Sequence, residues 1–102
     1  SLHSLRELNM SKNRLHEVPD DHIMFLTNLT DLSLASNKLE ALPLATANLR
    51  QLRFLRASAN RITSLHKDVV RLPKLTELHL ADNLLVKLPS SCWRRATNLN
   101  TL

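Results

Sequence analysis

The feature that most constrains this chain is an asparagine that returns on a nearly fixed beat. Asn13, Asn37, Asn60 and Asn83 are separated by 24, 23 and 23 residues, and the same apolar frame stands before each. Leu5-x-x-Leu8-x-Met10-x-x-Asn13-x-Leu15 is followed by Leu29-x-x-Leu32-x-Leu34-x-x-Asn37-x-Leu39. Then come Leu52-x-x-Leu55-x-Ala57-x-x-Asn60-x-Ile62 and Leu75-x-x-Leu78-x-Leu80-x-x-Asn83-x-Leu85, and a fifth frame opens at Leu99-x-x-Leu102. One further apolar slot precedes each frame, filled by Leu2, Leu26, Leu49, Leu72 and Ala96. A unit this short cannot bury its own apolar face. Copies in strict phase therefore restrict the fold to a stack of similar coils.

Within each frame the period of two puts both core residues on one face of a strand and the intervening residues on the other. Past the asparagine the strand cannot continue, because the prolines of Val18-Pro19, Leu42-Pro43 and Leu88-Pro89 cannot donate to a ladder. The chain must turn and return along the outside, with Ile23, Leu26, Val69, Leu72 and Trp93 feeding the core. Stacking such coils aligns their strands as a parallel sheet with a spacing of about 4.8 Å.

These frames resemble the leucine-rich repeat pattern, and the resemblance covers essentially the whole chain, residues 1–102, as one array. The Leu-Pro pairs resemble the family's second half-repeat, from which the third copy departs with Leu65-His66. The resemblance implies an α/β solenoid: a horseshoe segment with a parallel sheet on its concave face and irregular or short helical segments on its convex face. It also implies that Asn13, Asn37, Asn60 and Asn83 form a structural ladder, each side chain bonding the backbone of the adjacent coil, as a buried amide requires. Both ends open directly into repeat sequence without a cysteine cluster. The expectation is a slice of a longer array, with Leu2, Leu5, Leu99 and Leu102 leaving core ends open to end-to-end self-association.

Chemistry is sparsely provided for. The sequence has no glycine, which phosphate-cradling loops, dinucleotide-binding turns and the serine-hydrolase nucleophile elbow all need. Cys92 has no histidine nearby in sequence to act as its base. His3, His16, His22, His66 and His79 fall at different phases of the repeat and lack zinc-site spacing. No catalytic residue, cofactor or metal is expected. A single cysteine cannot form an internal disulfide, so the expected setting is cytoplasmic, with an extracellular adhesion or receptor segment as the alternative. No apolar run approaches the roughly 20 residues that cross a bilayer. The sequons at Asn9 and Asn28 each enclose a core residue and read as chance matches.

Functional expectation therefore falls on the residues that the repeat leaves free. Stacked coils bring equivalent positions into columns on the open face of the sheet. One column reads Glu7, Asp31, Phe54, Glu77 and the next Asn9, Ser33, Arg56, His79, with Arg53 on the flank. A solvated face with Arg56 neutralised by Asp31 and Glu77 would account for any one of these residues. It accounts poorly for a phenylalanine standing mid-column among carboxylates, because interface centres favour aromatic and arginine side chains. The leading expectation is a non-enzymatic module that binds a protein or peptide through Phe54, Arg56, Arg53, Asp31, Glu77, His79, Glu7 and Ser33. Beyond the asparagines runs a basic edge of Arg14, Lys38 and Arg61, ending at Leu84. With the formal charge of +5, that edge raises nucleic acid or another acidic ligand as an alternative. The acidic first column argues against a phosphate track. A further alternative is a targeting arm of an enzyme whose catalytic domain lies elsewhere.

Overall fold

The alternating centre of each frame forms a strand of only three residues, beyond which the chain turns toward the asparagine while backbone bonds still join the coils, as from Lys12 N–H to Ala35 O and Ser36 N–H to Ser58 O. In the computed structural model, which describes residues 4–85 and the backbone of 100 and 101, these strands are β1 (Glu7–Asn9), β2 (Asp31–Ser33), β3 (Phe54–Arg56) and β4 (Glu77–His79). β5 (Asn100–Thr101) adds a fifth. The strands lie parallel in chain order. Each of the three described connections runs outside through one helical turn: α1 (Asp20–Ile23), a 3-10 helix (Leu44–Asn48) and α2 (Lys67–Val70). The chain is an α/β solenoid.

Leu8, Leu32, Leu55 and Leu78 stand side by side in register and point into the core. Burial grows inward along the stack: Leu8, Met10 and Leu15 are half-buried, whereas Leu32, Leu34, Leu39, Leu55 and Ile62 are fully enclosed. Ala57, just past β3, takes a leucine's place. It is fully buried, and its N–H donates to His79 O at 2.9 Å. The outer segments supply Ile23, Leu26, Thr46, Leu49, Val69 and Leu72 to the same core.

Asn37, Asn60 and Asn83 each reach back one coil. Asn60 Nδ2 donates to Leu34 O of the previous coil at 2.9 Å and to Ala57 O of its own at 2.9 Å, while its Oδ1 accepts from Leu39 N–H at 3.1 Å. Asn37 does the same with Met10 O, Leu34 O and the N–H groups of Asn13 and Leu15. Asn83 repeats the pattern with Ala57 O, Leu80 O and Ile62 N–H. Asn13 differs. It is exposed, and its Nδ2 bonds to Met10 O and Ser11 O of its own coil.

Two features were not anticipated. Lys12, Ser36, Ala59 and Asp82, each just before a ladder asparagine, adopt left-handed backbone with φ of 57–61°, as does Arg14 at 57°. A chain without glycine therefore holds a glycine-like turn in each of the four described repeats. The other is the departure at His66, which occupies the position of Pro19 and Pro43 at the start of the outer helix with a similar backbone (φ −68°, ψ 136°). Its Nδ1 accepts the Asp68 N–H at 3.0 Å, so the side chain caps α2 where proline would only have set φ.

β5 sets Thr101 beside Leu78 and Asn100 beside Glu77. The partners Asp31, Phe54, Glu77 and Asn100 are thus all 23 residues apart. The expectations for Leu2, Leu88-Pro89, Cys92, Trp93, Leu99 and Leu102 lie outside the described residues.

Candidate functional site

Because the middle residue of each strand turns inward, the residues on either side of it face outward, and the register makes them columns. Glu7, Asp31, Phe54 and Glu77 are successive partners, as are Asn9, Ser33, Arg56 and His79. Eight side chains thus share one face of about four strands' width, with strand neighbours about 4.8 Å apart.

Their contacts are specific. The Arg56 guanidinium lies over the Phe54 ring, 5.7 Å from its centroid. The same guanidinium stands 4.0 Å from the Asp31 carboxylate, one strand away on the diagonal. Glu77 turns instead to His79 on its own strand, Oε1 to Nε2 at 3.0 Å. The neutralisation of Arg56 by both carboxylates therefore takes a different form, with Asp31 as its partner and Glu77 engaged elsewhere. Phe54 is half-buried beneath the arginine, while Arg56 remains exposed. Cation–π contact of this kind leaves the guanidinium's edge free for further bonds. A depression of about 270 Å³ adjoins the pair, lined by Glu7, Leu8, Asn9, Asp31, Ser33 and Arg56.

Arg53 is exposed on the flank, and its carbonyl holds the next coil by accepting from Thr76 N–H at 2.9 Å and Thr76 Oγ1 at 3.1 Å. Thr30 does likewise with Arg6 O. Those threonine links, and the Asp20 carboxylate that accepts Ala45 N–H at 2.9 Å across the outer surface, were not read from the sequence. The repeat frame carries no signal for them beyond two threonines at the same phase.

Among the described residues, no three His, Cys, Asp or Glu side chains stand close enough together to hold a metal ion. None of their helices is long and apolar enough to cross a membrane. What the face offers is an aromatic ring, an arginine, carboxylates and small polar groups in a fixed two-dimensional array, which suits recognition.

The model of a family described as leucine rich repeat matches residues 3–62. This chain belongs to the leucine-rich repeat family. Its leucine-rich repeats are 36% identical to part of the leucine-rich repeat serine/threonine-protein kinase 1 of Mus musculus, over 97% of this chain and 5% of that protein. They are 39% identical to part of an adenylate cyclase of Podospora anserina, over 80% of this chain and 4% of that protein. Among solved structures, a leucine-rich repeat protein of Leptospira interrogans superposes with a TM-score of 0.85 at 36% identity, over 96% of this chain and 24% of that one. The chain thus spans a small part of the length of each of these relatives. Leucine-rich repeat domains generally mediate protein–protein interaction, through the extended surfaces that stacked repeats create.

Proposed function

We propose that this chain is a recognition module without catalysis of its own, and that it binds a protein or peptide across the open face of its sheet. The observation that carries the proposal is the centre of that face, where Arg56 covers Phe54 at 5.7 Å and reaches toward Asp31 at 4.0 Å. An aromatic and an arginine held together, rimmed by carboxylates, is the composition of an interface centre. Both side chains are already ordered by each other, which lowers the entropy lost on binding. Asp31, Glu77 and His79 would then select partner charge, with Glu7, Ser33 and Arg53 at the rim. An intracellular setting is part of the same reading and rests on the lone cysteine, which cannot pair within the chain.

The test compares Phe54→Ala and Arg56→Ala for partner binding and for thermal stability. Truncation of either is expected to weaken binding by about 2 kcal/mol or more, with the fold nearly unchanged. Variants that bind as well as the parent, or that simply unfold, would remove the open face from this role.

A second reading is favoured by the relatives: a kinase and an adenylate cyclase each contain a matching stretch as a small part of their length. The module would then be the targeting arm of an enzyme whose chemistry lies in other domains. The same face would be used.

A further inference from the structure

A second surface lies on the edge where the chain leaves the sheet, one residue past each ladder asparagine. Arg14, Lys38, Arg61 and Leu84 occupy equivalent positions there. Backbone bonds hold the coils in step at this point: Lys38 N–H donates to Leu15 O at 2.7 Å, Arg61 N–H to Leu39 O at 2.8 Å and Leu84 N–H to Ile62 O at 3.0 Å. The backbones that carry these three cations therefore stack at steps of about 4.8 Å, Arg14 alone of the three with left-handed φ of 57°. None of them takes part in an ion pair among the described residues. Arg14 and Arg61 are exposed and Lys38 is half-buried. A row of like charges on neighbouring coils opposes folding as it does between paired strands, so it is a poor choice for a surface that only meets water. At the end of the row Leu84 is 59% exposed, although its neighbour Leu85 packs against the core.

We propose that this edge binds an acidic amphipathic helix of a partner protein. Its carboxylates would lie opposite Arg14, Lys38 and Arg61, and an apolar side chain would rest on Leu84. The spacing supports a helix. From Arg14 to Leu84 is three steps, about 14 Å, and helical positions i, i+3, i+7 and i+10 share one face and rise by about 15 Å. Each step of the row thus meets one turn of the helix. A nucleic acid strand fits less well. Glu40 stands two residues beyond Lys38, and Asp82 lies next to the fourth asparagine. An evenly charged phosphate backbone would meet both carboxylates, whereas a helix can present cations from its adjacent rows. Three phosphate contacts would also give only weak binding with a shallow salt dependence.

The probe is an alanine-rich helical peptide with Glu at i, i+3 and i+7 and Leu at i+10, titrated against the whole 102-residue chain. Its control is a peptide of identical composition with the glutamates spread around the helix. The patterned peptide is expected to bind about tenfold more tightly, the order set by three exposed ion pairs, and to weaken as salt is added. Lys38→Glu is expected to abolish that preference, and Leu84→Ser to reduce it. Phe54→Ala is expected to leave it intact, which separates this edge from the open face. Arg61→Gln, at an exposed position, gives the same readout should Lys38→Glu fail to fold. Equal binding of the two peptides, indifference to Lys38→Glu or Arg61→Gln, or stronger binding of a single-stranded oligonucleotide would each overturn the proposal.

Discussion

At the residue scale, two of the buried polar side chains, Asn60 and Thr46, make opposite predictions. Asn60 is buried, and its amide joins two coils through Leu34 O, Ala57 O and Leu39 N–H. Truncation would strand those backbone groups, so Asn60→Ala is expected to cost about 1–3 kcal/mol and to lower the thermal midpoint by several degrees. Asn13→Ala is expected to cost less, since Asn13 is exposed and bonds within its own coil. Equal losses would show that the inter-coil bonds contribute little. Thr46 is fully enclosed at a position where the flanking coils place Ile23 and Val69, and its Oγ1 has no hydrogen-bond partner among the described residues. Thr46→Val keeps the shape and removes the orphaned hydroxyl. The expected gain is about 1 kcal/mol, read as a higher denaturant midpoint at unchanged slope. The asparagines announce themselves by their beat in the sequence. Thr46 does not, because a lone threonine on an outer segment looks like a surface residue until the coil is closed.

At the scale of elements, the strands were legible and the turns were not. Alternation of apolar residues about Leu8, Leu32, Leu55 and Leu78 is a local, period-two signal, and a fixed repeat length sets the register of four strands. The left-handed residue before each asparagine leaves no such trace: Lys12, Ser36, Ala59 and Asp82 share no chemistry, and the chain has no glycine to mark the place. Left-handed backbone costs a non-glycine residue about 1–2 kcal/mol, while glycine is penalised by about 0.5–1 kcal/mol for its freedom when unfolded. Ala59→Gly is therefore expected to be neutral to stabilising by up to about 1 kcal/mol. The same exchange at Ala45, in the 3-10 helix, is expected to destabilise. Matched thermal melts would decide, and a loss of stability on Ala59→Gly would contradict the backbone geometry. The candidate site divides similarly. Its columns follow from phase alone, but the choice of Asp31 over Glu77 as the partner of Arg56 depends on side-chain reach across the diagonal, which no spacing encodes.

At the scale of the whole molecule, the strongest contacts between elements run between consecutive coils, so stability should be close to a sum of coil and interface terms. Burial follows the same logic, with Leu55 in the middle fully enclosed and Leu8 in the first described coil half-buried. A lesion should then act according to where it sits in the stack. Leu55→Ala removes packing on both sides of its coil and is expected to cost about 2–5 kcal/mol. Leu8→Ala, with one described neighbour, is expected to cost less. The sharper distinction lies in which amides respond. Met10 N–H bonds to Ser33 O, Leu34 N–H to Arg56 O and Ala57 N–H to His79 O, so these three report on successive interfaces. Under native conditions Leu8→Ala is expected to speed hydrogen exchange at Met10 and to leave Ala57 nearly unaffected, because the first coil can open without the third. Leu55→Ala is expected to speed all three, because opening at the centre leaves each half with too few interfaces to persist. If Leu8→Ala lowered protection equally at Met10, Leu34 and Ala57, the coils would be opening as one unit, and nearest-neighbour additivity would not describe this array.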